Sequence, residues 1–212
     1  MTFEDIPFVV AEHLRYFPDG FFARLGTAFL SAYCETYVTS PDARGYIAQV
    51  GHQPAGFLVG VIDPAGHRGH VLQAHRRRLA MRALTALAVR PRVAAHFLRT
   101  RLGRYARKLL PSRTKEQTLS PTPPGVTAVL AHVAVVGHAR SRGIGAALVT
   151  GFVAEAADAG CARVSLVTLA DDSGAGPYYE RHGWVPRGET RTPEGRRLAT
   201  YDFPLPGAGE VH

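Results

Sequence analysis

The stretch VTAVLAHVAVVGHARSRGIGAALVTGFVAEAADAG, Val126–Gly160, decides how the rest of the chain reads. Its first eleven residues are apolar except for Thr127 and His132, long enough for a buried strand and rich in β-branched valine. Apolar residues then recur at helical spacing from Ile144, and between the two periods stands Arg140-Ser-Arg-Gly143-Ile-Gly145. A turn that leads from a strand straight into a helix N-terminus leaves main-chain amides without partners. Glycines in it let an anion approach the backbone. The same glycines also serve where strand and helix need only pack closely, so the turn by itself leaves both readings open. A Rossmann fingerprint is excluded because Leu148 takes the third glycine's place, and a P-loop because no Gly-Lys-Ser/Thr follows.

Working outward, ARVSLVTL (162–169) is a second buried strand. With the helix between them, the two strands form a parallel crossover unit. Downstream, a short helix around Tyr178–His182, strand-like residues at Trp184 and RLATYDFPL near the end complete a mixed sheet. Upstream, Ile6, Val9, Val10, Leu14 and Phe17 follow a helical period, as do Leu25, Phe29, Ala32 and Tyr33. FPDGF (17–21) is the loop between them. GYIAQV (45–50) and AGFLVGVI (55–62) flank GHQP as a hairpin. From about Ala65 to Ser112 the chain is rich in Ala, Leu and Arg, and Pro91 divides it into two helices. In the second helix Leu98, Leu102, Tyr105 and Leu109 share a face away from Arg99, Arg104, Arg107 and Lys108. SRTKEQTLSPTPPG then reads as a Pro-rich loop.

The chain has 212 residues, with 25 Lys+Arg, 17 Asp+Glu and 46% apolar residues, enough for one core. Its charge of +8 is local. Between His67 and Lys115 stand 14 basic residues and no acidic ones, and the remainder carries 11 basic against 17 acidic. Nucleic acid is therefore not the favoured partner, although the basic helices would suit an acidic protein. No run of 18 uncharged apolar residues exists and MTFEDIPF is not a secretory signal, so a cytoplasmic location is expected. Cys34 and Cys161 are expected to be reduced, buried thiols. His67, His70 and His75 lack the cysteine or carboxylate spacing of a zinc site, so no metal is assigned.

The segment VAVVGHARSRGIGAAL, followed by DSGAGPYYERHGW (172–184), resembles the GNAT superfamily of acyl-CoA-dependent N-acyltransferases. That family carries an apolar strand, then [Q/R]-x-x-G-x-[G/A], then N-x-x-A-x-x-x-Y-x-x-x-G-[F/W]. Ala175, Tyr179, Gly183 and Trp184 match the second block, and Asp172 stands in place of Asn. The resemblance covers about 126–204. It implies a single α/β (α+β) domain over 1–212, with a mixed, twisted sheet of six or seven strands, splayed near its middle and flanked by helices. A basic helical insertion with its Pro-rich loop, residues 65–124, is expected between the third and fourth strands. The implied activity is transfer of an acetyl or other acyl group from acetyl-CoA, or another acyl-CoA, to a primary amine by direct attack. An acyl carrier protein donor and a non-catalytic binding module are the alternatives.

By the same resemblance the amides of Arg140, Ser141, Arg142, Gly143, Ile144, Gly145 and Ala146 hold the pyrophosphate. The backbone of Val133 and Val135 pairs with the pantetheine arm, and Asp172 is its polar neighbour. Tyr179 is the implied acid that protonates the leaving thiolate, with packing as its other reading and Tyr178 as the spare. Many relatives carry a Glu on the strand, where this chain offers only His132, either as base or as a core residue; an already neutral amine needs no base. His138 reads as a loop residue. The acceptor side falls to His13, Tyr16, Phe17, Asp19 and Phe21, of which Asp19 is the candidate ammonium partner and the aromatics read equally as core. The acceptor is a small-molecule or peptide amine, and a homodimer is a candidate assembly.

Overall fold

Leu79, Ala83, Ala86 and Leu87 fall on one side of a helix, and that side packs on the N-terminal helices. The computed structural model describes residues 1–97, 125–171, 174–192 and 195–206. In chain order these form α1 (Ile6–Tyr16), α2 (Phe21–Arg24), α3 (Thr27–Thr39), β1 (Ala43–Val50), β2 (Gln53–Val61), α4 (Pro64–His70), a π turn (Val71–His75), α5 (Arg76–Ala88) and α6 (Pro91–Phe97). They continue as β3 (Thr127–Val135), α7 (Ile144–Asp158), β4 (Arg163–Leu169), α8 (Gly176–Arg181), β5 (Val185–Arg191) and β6 (Arg197–Pro204).

The six strands make one sheet in the order β1-β2-β3-β4-β6-β5. Only β3 and β4 run parallel, joined by α7 as the crossover. The other neighbours are antiparallel. The hairpin forms as expected, but its first strand begins two residues earlier at Ala43 and pairing reaches Gln53, so two residues, Gly51 and His52, make the connection. The two faces are separate layers. Leu58, Leu130 and Val164 pack with Phe152 and Val149 of α7, while Phe57 and Ala134 pack with Val9, Val10 and Leu30 of α1 and α3. Alternation along a strand produces that division. Gly60 has a steric reason, because a Cβ there would overlap the fully buried Phe152 ring.

Two expectations change. The basic helices lie between the second and third strands of the described sheet rather than the third and fourth. Residues ahead of α1 form a 3-10 turn, and the Met1 ammonium donates to Gly45 O of β1. The described part of the helical segment is also not peripheral to the core. Leu79, Ala83, Ala86 and Leu87 of α5 join Leu25 and Phe29, Arg78 pairs with Glu35, and Arg90 donates to Leu25 O at 2.9 Å. Its arginines sit on the outside of a helix whose apolar side covers α2 and α3. The face expected of Leu98, Leu102, Tyr105 and Leu109, and the Pro-rich loop, lie outside the described residues. Among the described residues, no helix is long and apolar enough to cross a membrane.

Candidate active site

The parallel pair is short. β3 meets β4 only over Thr127–Leu130 against Arg163–Leu166, after which the two strands part while β3 continues along β2 to Val135. The Val136 N–H donates to Ala55 O at 2.9 Å. Backbone polar groups alternate along a strand, so Ala134 points its N–H and C=O at β2, and Val133 and Val135 point theirs into the gap. The Val135 carbonyl does receive a donor from that side, Arg140 Nε at 3.2 Å. The two valines named from sequence thus offer backbone groups to an extended arm lying in the gap.

The turn that follows leaves main-chain donors free. Gly137–Ala139 is one 3-10 turn, Ser141 has φ 61°, and Gly143 caps α7 in the left-handed region with φ 76°. The first helical bond there is Ala147 N–H to Gly143 O at 2.9 Å. The amides of Ile144, Gly145 and Ala146 therefore have no acceptor within the helix and point outward with the positive end of a 15-residue dipole. A Cβ on Gly143 would meet nothing within 4 Å, so the residue is glycine for its φ and for access to the backbone. Ser141 and Arg142 are exposed beside the turn, and Arg140 lies over the Tyr16 ring at 4.7 Å. This donor set fits a pyrophosphate. Asp172 lies outside the described residues.

Beside the turn, α7 and α8 enclose a cleft of about 160 Å³, walled by Ala146, Val149 and Val153 on one side and Tyr178, His182 and Trp184 on the other. Tyr179 sits behind it, 5% exposed, its ring edge-on to Trp184 at 5.4 Å. Burial, and secondarily Tyr178, pushes the Tyr179 phenol up to about 12, so it keeps its proton at any working pH and remains a donor. Burial also raises Tyr178.

His132 lies on the opposite face because of a bulge. The β2–β3 register skips Ala131, pairing Val59 with His132 and Gly60 with Leu130. The extra residue turns His132 toward α1 rather than α7. There its ring stands edge-on to His13 at 4.6 Å, with Phe17 at 5.5 Å. Burial first, and the neighbouring His13 second, lowers His132 to about 3, and burial lowers His13 to about 4. Both imidazoles are uncharged at neutral pH, each with a single ring N–H, and take up a second proton poorly.

The other acceptor-side candidates are dispersed. Asp19 has Arg24 at 3.9 Å and Arg196 at 4.0 Å, and Arg196 also donates to its carbonyl at 3.1 Å, tying the α1–α2 loop to the β5–β6 hairpin. Phe21 packs toward Phe22 and α5. Tyr16 alone reaches the turn, through Arg140. The sequence reasoning passed over Glu12, although its spacing of four from both Phe8 and Tyr16 places it on their side of α1. Among the described residues, no group of three His, Cys, Asp or Glu is placed to hold a metal.

A family model described as "Acetyltransferase (GNAT) family" matches residues 116–184. No curated protein matches the chain by sequence. Among solved structures, Arabidopsis thaliana NAA60 in complex with a bisubstrate analogue aligns with TM-score 0.59 and 14% identity, covering 98% of this chain and 97% of that one. A structure described as an acetyltransferase aligns at 0.57 and 16%, covering 97% of each chain. The ribosomal-protein-S18-alanine N-acetyltransferase of Escherichia coli aligns at 0.50 and 14%, covering 86% and 81%. At these identities the likeness is one of fold. The signature turn and the shared fold agree with that match: residues 116–184 match the GNAT acetyltransferase family model, and the fold of the chain is that of these acetyltransferase structures.

Proposed function

We propose that this protein is an acyl-CoA-dependent N-acyltransferase that moves an acetyl or other acyl group to a primary amine by direct attack. The observation that carries it is the junction of two features. Backbone at Val133 and Val135 that no neighbouring strand pairs in the β3–β4 gap leads directly into unpartnered amides at the start of α7. One extended thioester with a pyrophosphate at its end satisfies both.

The Ile144, Gly145 and Ala146 amides hold the pyrophosphate, and Arg140 or Arg142 adds charge. Val133 or Val135 N–H donates to the carbonyl oxygen as it becomes an oxyanion. The amine nitrogen then bonds to the acyl carbon as the carbon–sulfur bond breaks. Tyr179 gives its proton to the departing sulfur and regains one from solvent. His132 accepts a hydrogen bond from the amine or a water, while the amine's surplus protons pass to solvent, since an imidazole lowered to about 3 stores none. Peptide N-termini and small-molecule amines are both candidate acceptors; the Escherichia coli neighbour is named for an alanine of a ribosomal protein.

The test is an acyl-CoA panel incubated with pooled amines and read by thiol release, alongside thermal stability with CoA. Amine-dependent thiol release that falls in Tyr179→Phe supports the reading. Absence of both release and a CoA-induced stability shift refutes it.

A further inference from the structure

We infer that Glu12 is the acceptor-binding carboxylate of this site, and that the acceptor is therefore a cationic amine whose ammonium docks on Glu12 Oε2. The inference rests on the acyltransferase reading above and adds the charge class of its acceptor.

Three observations converge on Glu12. The first is an unmet need. Its side chain is 14% exposed, and Oε2 is one of two buried side-chain polar atoms that have no hydrogen-bond partner among the described residues. Oε1 lies 3.9 Å from Arg15 Nη1, too far for a direct hydrogen bond. A carboxylate oxygen removed from water and left without a donor is costly, and a cation that arrives with N–H groups removes that cost.

The second is placement. Ile6, Val9, Val10 and His13 form the buried stripe of α1, and Glu12 stands beside it, one turn from Phe8 and one from Tyr16. Phe8 packs on the Ala55–Val136–Ala139 cluster that Val135 and Ile144 also cover at the end of β3, and Tyr16 carries the Arg140 guanidinium. Both of Glu12's helical neighbours therefore touch the strand end and turn that border the gap.

The third is direction. α1 and α3 cover the sheet face opposite α7, since consecutive residues Phe57 and Leu58 serve the two layers. Glu12 is carried by α1, the helix toward which the bulge turns His132. Neither nearby arginine donates to Oε2. Arg140 donates to Val135 O and stacks on Tyr16, and Arg15 extends into solvent with 66% exposure.

The experiment uses the full chain with acetyl-CoA, and phenethylamine, spermidine and a tetrapeptide beginning with alanine as amine probes. Thiol release gives the amine KM, calorimetry in the presence of CoA gives amine affinity, and CoA-induced thermal stabilisation reports the donor side. Glu12→Gln should raise KM and weaken affinity for the best probe tenfold or more, with stabilisation by CoA unchanged. Glu12→Asp should recover part of the loss. Should Glu12→Gln fail to fold, Glu12→Asp carries the same comparison with the charge drawn back by one methylene. Unchanged amine KM and affinity overturn the inference. So does loss of the CoA response in Glu12→Gln, which would make Glu12 a partner of Arg140 on the donor side. A parent protein that binds CoA but none of the three amines overturns it too. If the parent binds no CoA, the acyltransferase reading fails and the inference falls with it.

Discussion

Acidification should expose how tightly the acceptor face is packed, through the edge-to-face pair of His13 and His132. Burial lowers His13 to about 4, and burial followed by the His13 charge lowers His132 to about 3. In the unfolded chain both titrate near the ordinary imidazole value of about 6.5. The unfolded state therefore binds protons first as pH falls, so the stability contributed by these neutral rings is complete above about 6.5 and lost below it. At pH 5, roughly 1.5 units below the ordinary value and still above both lowered ones, each ring costs about 2 kcal/mol and the pair about 4 kcal/mol. That is a large part of a domain stability of about 5–15 kcal/mol. His67 and His75 are lowered as well, mainly by burial, and act in the same direction, so the pair is isolated by difference. Glu155, lowered by Tyr46 and Arg44 against burial, loses its contribution only below the carboxylate range and stays outside the window. Urea unfolding followed through the single Trp184 at pH 7.5, 6 and 5 measures the effect. Each single change to Leu should shrink the pH-dependent loss by about 2 kcal/mol, and the double variant by about 4 kcal/mol. Equal losses in parent and double variant would refute the packed imidazole pair.

Gly143→Asp should fold, because its Cβ meets nothing within 4 Å, although the left-handed φ of 76° costs about 1–2 kcal/mol. It should also abolish stabilisation by CoA, which for the parent is about 2.7 kcal/mol at a hundred times Kd, as read by a thermal melt. Tyr179→Phe should lower turnover by about tenfold to ten-thousandfold with CoA affinity unchanged, which steady-state kinetics and calorimetry separate. Phe152→Ala should cost about 3–5 kcal/mol in denaturant unfolding, since the ring is fully buried between α7 and the sheet. Gly60→Ala should be destabilising by about 1–3 kcal/mol in the same assay, because its methyl overlaps that ring.

Local patterns carried the second half of the molecule. The strand, glycine turn and helix of Val126–Gly160, and the register that places Tyr179 ahead of Gly183 and Trp184, depend on neighbours in the chain, so they were legible without coordinates. The hairpin, the N-terminal helices and the division at Pro91 were legible for the same reason. Strand order was not. β6 inserts between β4 and β5, and the helical segment follows the second strand, because pairing joins residues far apart in sequence. Nor could periodicity show that α5 covers α2 and α3, since an arginine-rich helix with one apolar side reads alike whether or not that side finds a partner.

The division is sharpest at the site. Sequence alone determined the strand–glycine turn–helix, because a left-handed cap at Gly143 and free amides at a helix start are properties of one continuous segment. Simple alternation would have put His132 on the side of Leu130 and α7. The bulge at Ala131 turns it to α1, where it meets His13 from the far end of the chain. Tertiary structure likewise engaged Asp19 with two arginines and left Glu12 Oε2 buried without a donor. A side chain's charge state and its unmet hydrogen bonds are set by what surrounds it in space, and for these residues the surroundings come from segments that no local pattern connects.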